Sequence, residues 1–396
     1  MLQSRIHQEQ EHLPSMLSAD SRELSRQLQL HQQKIFPPTS QKTIRQFTPA
    51  EAAYYIGIGE GYLRQVASEG HGPEPLANGR RVYSPEDMDR IRASLDEKNS
   101  TQKYVPIRRA GEKLQVVAVM NFKGGSAKTT TSAHLAQYLA IRGYRVLAID
   151  LDPQASLSAL FGHQPELDVG EGETLYGAIR YDEPRSIADI VRATYTPNLH
   201  IVPGNLELME FEHETPTAIA SGTAESMFFA RIGEALAPIE SLYDIVVIDC
   251  PPQLGFLTMS ALCAATSVLI TVHPQMLDVM SMSQFLAMTS ELMAVVENAG
   301  GRTSYDWMRY LVTRFEPNDG PQSQMTGFMR AIFGNRMLQY PMLKSTAISD
   351  AGVTKQTLYE VDRAQFTRGT YDRAMESLNQ VNSEIETLLK STWSRK

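Results

Sequence analysis

The chain has 396 residues, 42% of them apolar and 21% charged, with 37 Lys and Arg against 45 Asp and Glu. That composition fits a globular protein of two or three domains with a sizeable core, and it excludes a disordered or fibrous chain. Two cysteines, Cys250 and Cys263, exclude a disulfide framework and a self-contained four-cysteine metal site, and a net charge of −8 excludes a protein that is basic all over. No apolar run approaches the ~20 residues a membrane span needs. The N-terminus, with eight Gln among residues 1–41, does not read as a secretory signal, so a cytoplasmic protein is expected.

The net charge is unevenly spread. Residues 1–41 are neutral, 42–113 carry +2, 114–301 carry −13 and 302–396 carry +3. Contacts with nucleic acid are therefore expected at the two ends and not in the middle.

Residues 1–35 read as helix. Ile6, Leu13, Leu17, Leu24, Leu28 and Ile35 are spaced 7, 4, 7, 4 and 7 apart, which puts them in one stripe. Pro14 is expected to divide the segment into a weak first helix and a firmer one over 15–35, ended by Pro37 and Pro38. A single-striped helix of this length cannot bury its face alone. Residues 1–41 are therefore expected to serve as a dimerisation or domain-packing helix.

Residues 42–103 look like a small domain. Thr48-Pro49-Ala50-Glu51 is a capping box with Pro at the first helical position. Gly57 and Gly59 mark a turn, and a second helix is expected over Glu60–Ser68. Asn78-Gly79-Arg80-Arg81-Val82-Tyr83 reads as a hairpin tip with a basic strand, and Ser84-Pro85-Glu86-Asp87 opens a third helix to about Leu95. Helix, turn, helix, basic wing, helix is a winged helix-turn-helix order. The stretch resembles the MerR-type DNA-binding domains in the order of its parts. Arg64, on the second helix, is the candidate for base edges, and Arg80 and Arg81 for backbone phosphates. A three-helix protein-interaction module is the alternative.

The run Leu114–Met120 has the β-branched character of a buried parallel strand. Lys123-Gly124-Gly125-Ser126-Ala127-Lys128-Thr129-Thr130 follows, then a helical pattern through Leu139. Strand, Gly-rich loop, Lys-Thr and helix is a P-loop arrangement. Such a loop converges backbone N–H groups on phosphates at a helix N-terminus. Lys128 supplies charge at the β- and γ-phosphates, and the Thr129 hydroxyl is a Mg²⁺ ligand. A second strand, Arg145–Asp150, leads into Asp150-Leu151-Asp152-Pro153-Gln154. A third, Asp244–Asp249, ends in Cys250-Pro251-Pro252 as a Walker B strand would, which makes Asp249 the second Mg²⁺ candidate. Further stretches, Ser267–Val272 and Met308–Thr313, continue an α/β alternation. The expected fold class is α/β: a mostly parallel P-loop sheet over 104–396 with helices on both faces, preceded by the long helix and the winged domain. No Asn-Lys-x-Asp run occurs, which favours ATP over GTP. Phe315 is a candidate for the base pocket or, equally, for helix packing.

The extra lysine, Lys123, together with these following segments resembles the deviant Walker ATPases of the ParA/MinD family. The resemblance implies that Lys123 reaches the nucleotide of the partner subunit in an ATP-bound homodimer, and that Asp152 orients or activates the attacking water. Ala127 stands where most of that family has Gly, so slower hydrolysis or a shifted loop is expected, with binding kept. The two cysteines read as buried small residues, and the tail Ile385–Lys396 carries few cations for a MinD-like membrane helix. A long helix, a winged helix-turn-helix and this ATPase, in that order, resemble the large ParA proteins of low-copy plasmids, and among them the RepA partition proteins of repABC plasmids. That resemblance implies ATP-dependent plasmid segregation on the nucleoid, nonspecific and operator-specific DNA binding, repression of its own operon, and a ParB-type partner (RepB) that stimulates hydrolysis. Lys355, in the basic C-terminal segment, is the candidate for nonspecific DNA. A repressor with a structural nucleotide is the alternative function, and a MinD-like membrane-associated positioning ATPase a more distant one.

Overall fold

A computed structural model of the chain describes residues 12–35, 42–99, 103–222 and 227–395. The chain divides into two compact units, 1–42 and 43–396. In the first, one helix runs Leu13–Ile35 (α1). Pro14 falls in its first turn, where the missing N–H has no partner to lose, and the helix expected over 15–35 is present, while the weak helix expected before it lies outside the described residues. Leu13, Leu17 and Leu24 of the expected stripe are exposed. Ile6, Pro37 and Pro38 lie outside the described residues.

The second unit begins with three helices, Pro49–Ile56 (α2), Glu60–Val66 (α3) and Pro85–Lys98 (α4). Both expected capping boxes form, Thr48 with Glu51 and Ser84 with Asp87. The stretch expected to be a basic strand is a tight turn instead. Gly79 N–H donates to the Leu76 carbonyl, Leu76 N–H to the Arg80 carbonyl, and only Tyr83 reaches a ladder partner, Phe47. Pro73 and Pro75 remove donors that a longer hairpin would need.

Seven strands follow: Gln115–Met120 (β1), Val146–Asp150 (β2), Arg192–Ala193 (β3), Leu199–Val202 (β4), Ile245–Asp249 (β5), Ser267–Val272 (β6) and Trp307–Val312 (β7). They form one sheet in the order β3-β4-β2-β5-β1-β6-β7, parallel except for the β3–β4 pair. The register sets Val119 beside Asp249 and Asp150 beside Asp249, so both strand-end carboxylates and the loop after β1 meet at one edge. The expected α/β fold with helices on both faces is thus present.

Side chains alternate between two cores. Val117 and Val119 face one, while Val116, Ala118 and Met120 face the other. The first face is covered by Lys128–Ile141 (α5) and by the C-terminal helix Arg368–Thr392 (α11 below). The second carries Met209–Ser221 (α6), Phe256–Ala264 (α7) and Met276–Asn298 (α8). Gly320–Phe333 (α9) and Thr346–Val353 (α10) complete the unit before α11. The expected boundary near residue 103 is crossed by a shared core, because Phe47, Tyr55, Leu63 and Ile91 join Tyr138, Tyr359 and Val381 in one buried cluster.

Two elements bear on membranes. The apolar side chains of the tail, Ile385, Leu389 and Trp393, are buried, and the Trp393 indole donates to the Lys113 carbonyl at 2.8 Å. Helix α8, in contrast, is long and apolar enough by length and composition to cross a membrane, against the expectation that no apolar run approaches that length. Asp278, Glu291 and Glu297 lie within it, and Met282, Phe285 and Val296 anchor it in the protein.

His134 joins α5 to the segment after α10. Its Nδ1–H donates to the Thr130 carbonyl at 2.7 Å, and its Nε2 accepts from Leu358 N–H at 3.1 Å. Burial pushes its pKa down to about 4, against some support for the cation from Thr130. An unfolded chain takes up this proton near pH 6.5. Stability from this site is therefore complete above that pH and is lost as pH falls toward 4. Between pH 7 and pH 5 the loss should be about 2 kcal/mol in urea titrations, and His134→Gln should remove that increment of the pH slope.

Candidate nucleotide-binding site

The turn after β1 reaches α5 through Ala127, whose backbone is left-handed at φ 64° and ψ 29°. Alanine thus adopts the conformation glycine favours, at a cost of about 1 kcal/mol. No side chain caps α5, so its first N–H groups face the opening. The loop is held from behind: the Thr271 hydroxyl bonds Ser126 Oγ at 3.1 Å, and Thr313 donates to the Ser126 carbonyl at 2.9 Å.

A cleft of about 580 Å³ opens before this loop. It is lined by Gly124, Gly125, Ala127, Lys128, Thr129 and Thr130 on one side, and by Asp152, Gln154 and Ser156 on another. Pro252, Gly352 and Lys355 close it. Lys128 is only 6% exposed and makes one long hydrogen bond, to the Lys123 carbonyl at 3.4 Å. Burial lowers its pKa, partly offset by the charges of Asp249 and Asp152. A desolvated ammonium beside open helix N–H groups fits a polyphosphate.

At the strand ends, Thr129 Oγ1 donates to Asp249 Oδ2 at 2.6 Å and Ser132 Oγ to Asp249 Oδ1 at 3.0 Å. Asp150 accepts from the backbone and hydroxyl of Ser158, both at 2.7 Å. Burial raises the pKa of both carboxyls, and the charge of Asp249 adds to the rise at Asp150. Among the described residues no three His, Cys, Asp or Glu side chains gather to hold a metal by themselves. A hydroxyl and one carboxylate beside a phosphate cleft nevertheless suit Mg²⁺, which shares its ligands with substrate phosphates. Asp152 lies half-buried on the cleft wall and caps its own turn, accepting from Gln154 N–H at 2.9 Å.

Lys123 stands outside the cleft lining. Its ammonium is ion-paired with Asp278 on α8, which also faces His273 Nδ1 at 3.3 Å. Nothing in the sequence pattern signals this partner, 155 positions away. Lys355 is also not where a basic patch would put it. It occupies the left-handed turn that ends α10, at φ 53°, and shares the cleft with Lys128. Arg314, left-handed too at φ 52°, donates to the Gly125 carbonyl at 3.0 Å. Of seven such non-glycine residues among those described, Ala127, Ala155, Arg314 and Lys355 surround the cleft, so backbone strain gathers there. Phe315 pairs with Leu343 in a backbone bridge and is not among the residues lining the cleft.

The arginines of the small domain differ among themselves. Arg64 is ion-paired with Glu60 on an exposed face of α3, and Arg80 is exposed at the turn. Arg81 instead holds the turn, donating through Nε to the Pro73 carbonyl at 2.9 Å. Helix α3 is shorter than the expected span, because its end widens into a π-helical turn over Ala67–His71. Cys250 and Cys263 are free and buried, and burial raises both thiol pKa values.

A family model described as an AAA domain matches residues 114–299. The replication protein A of Rhizobium rhizogenes is 61% identical over 390 residues, covering 97% of this chain and 96% of its own length. The chromosome partitioning protein ParA of Myxococcus xanthus is 30% identical over 236 residues, covering 60% of this chain and 77% of its own. A solved structure described as a partition protein matches with a TM-score of 0.58 at 17% identity, covering 92% of this chain and 99% of its own. That last likeness bears on the fold alone.

Proposed function

Because the chain belongs to the ParA family of partition ATPases, with a rhizobial replication protein A among its relatives, we propose that it segregates plasmid DNA through an ATP-switched homodimer. In this reading the ATP-bound dimer holds random DNA on the nucleoid of the cytoplasm. A ParB-type partner of the RepB kind stimulates hydrolysis and releases it. The winged helix-turn-helix at 42–103 binds and represses its own operator. Lys123, Gly124, Gly125, Ser126, Ala127, Lys128, Thr129 and Thr130 bind the nucleotide, with Lys123 leaving Asp278 to reach a partner's phosphates. Thr129 and Asp249 hold Mg²⁺, which supplies charge compensation at the transferred phosphoryl group. Asp152 orients the attacking water. Arg64 reads base edges, and Arg80 and Arg81 take phosphates.

One observation carries the coupling of ATP to DNA. Helix α5 begins at the phosphate loop and ends at Ile141, whose carbonyl accepts Arg92 of α4 at 2.8 Å. A rigid helix therefore joins the nucleotide to the DNA-reading helices. The test is ATP turnover by the full chain with random DNA, with and without the ParB-type partner. Stimulation is expected, and its absence together with intact operator binding favours a repressor with a structural nucleotide. Asp152→Asn separates the same readings: it should stop plasmid movement and leave repression largely intact.

We propose that Lys355, which lines the cleft, meets the nucleotide and not DNA. Lys355→Glu is expected to weaken ATP binding roughly tenfold, about 1.4 kcal/mol, and to weaken random-DNA binding only through that loss. Random-DNA affinity that falls at unchanged ATP affinity would return Lys355 to a direct DNA contact. Unchanged affinity for both removes it from the account.

A further inference from the structure

A second cavity, of about 420 Å³, lies where the ends of α2, α5 and α11 meet the segment 103–109, and it shares no lining residue with the nucleotide cleft. Lys103, Arg109, Arg142, Lys390 and Arg395 line it, with Glu386 the single carboxylate among the described lining residues. Glu112, held by Arg395, lies just behind. Five cations thus meet two carboxylates, an excess of three positive charges in a chain whose net charge is −8. Ser100, Thr101 and Gln102, which precede the segment, add no charge.

The cations are unequally spent. Arg395 is fully engaged, by Glu112 and by the Pro106 and Ile107 carbonyls at 2.7 and 2.8 Å. Arg142 and Lys390 share Glu386, at 3.2 and 2.8 Å. Arg142 Nη1 also caps the end of α2 through the Tyr54 and Tyr55 carbonyls. Its Nη2 has no hydrogen-bond partner among the described residues, although the side chain is only 16% exposed. Lys103 makes one long bond, to the Asp96 carbonyl of α4 at 3.3 Å, and the Arg109 guanidinium makes none among the described residues. Capping of helix ends accounts for Arg142 and, weakly, for Lys103, and leaves Arg109 unexplained.

We propose that this cavity binds a small phosphoanion, a short chain of phosphate groups, at the joint of α2 with α5 and α11. Phosphate oxygens suit Arg142 Nη2 and the Arg109 guanidinium, which donate in a plane, and the Lys103 and Lys390 ammonium groups as point charges. A chloride or a lone carboxylate leaves most of the excess charge unmet, whereas an oligophosphate carries about as much of the opposite sign. A DNA backbone offers the same chemistry, but the floor lies too deep for it. Glu386 and Trp393 are buried, and a duplex presents its phosphates on a convex surface, so it reaches only the exposed rim at Lys103 and Arg109. A seated anion bridges 103–109 to α5 and α11 and stabilises the folded chain by mass action.

The test is calorimetric titration of the full chain with inorganic tripolyphosphate, in magnesium-free buffer of fixed ionic strength. The parent should show two classes of site, the nucleotide cleft and the joint. Lys128→Ala should lose the first and keep the second. Adding Lys103→Glu and Arg109→Glu to Lys128→Ala should weaken the remaining site at least about tenfold. Both positions are exposed, so the fold should survive, and equal urea midpoints check that it does. Lys103→Arg with Arg109→Lys on the same background keeps the charges and should keep the affinity. No binding left in Lys128→Ala overturns the proposal, as does affinity there that the two Glu substitutions leave unmoved. A labelled random duplex that binds through Lys103 and Arg109 and is not displaced by tripolyphosphate also overturns it, in favour of a DNA contact at the rim.

Discussion

Lys128→Ala should leave the apo protein as stable as its parent and weaken ATP binding at least ~100-fold. Two charge-assisted hydrogen bonds to phosphate oxygens, at about 1.5 kcal/mol or more each, account for that loss. In the nucleotide-free chain the ammonium gains little: it is buried, its charged form is disfavoured by that burial, and it makes one hydrogen bond at 3.4 Å. Removing it therefore relieves a desolvation cost as large as the contact it forfeits. With phosphates bound the balance reverses. Asp249 and Asp152 then face the ligand's negative charge without the cation that offsets them, in a cleft where water screens poorly. Titration with a fluorescent ATP analogue and urea unfolding of the apo protein measure the two halves. Parental affinity in the variant would remove Lys128 from the site. A loss of several kcal/mol in the apo protein would make it a structural lysine instead.

The phosphate loop and both acidic strand ends were legible because each is local. Val116–Met120 and Ile245–Ile248 are unbroken apolar runs, which only doubly covered parallel strands need, and the glycines and Lys-Thr sit between strand and helix. Asp150 and Asp249 each read as strand ends, but that their strands are neighbours came with the structure. Edge elements were not legible. Strands β3 and β4 have two and four residues, with exposed Ala193 and His200, too short for a periodic signal. Three features of the site came only with tertiary structure: the hold of Asp278 on Lys123, the presence of Lys355 in the cleft, and the core shared by the two parts of residues 43–396. Each joins residues far apart in sequence, and no local pattern encodes such a pair. Helix α8 is long and apolar, yet Met276, Met280 and Met288 are exposed on it, which no local run of residues encodes.

Glu386→Ala should cost about 3–5 kcal/mol of stability, because it strands a buried arginine at the joint of α5 and α11 with α2. Glu386 is 3% exposed on α11. It accepts from the hydroxyls of Tyr138 and Tyr144 at 3.2 Å each, from Arg142 Nε at 3.2 Å and from Lys390 at 2.8 Å. Burial opposes its charge, but Arg142 and Lys390 outweigh burial and hold its pKa below the usual carboxylate range. The same Arg142 donates to the carbonyls of Tyr54 and Tyr55 at 2.8 and 2.6 Å. Arg92 reaches Tyr55 as well, and burial has already pushed its pKa down to about 10. Take Glu386 away and two guanidinium groups share one set of carbonyls without a carboxylate between α5 and α11. Replacing both members by methionine should then cost less than Glu386→Ala alone, since no buried charge is left unpaired there. Urea midpoints for the two single variants and the double variant measure this. Additive losses would show that Arg142 and Glu386 act independently. Because Arg92 and Arg142 also fasten the end of α5 to α2 and α4, the single Glu386→Ala variant should keep ATP binding while its operator affinity stops responding to nucleotide. An operator response equal to the parent's would separate the joint from the switch and leave it a purely structural clamp.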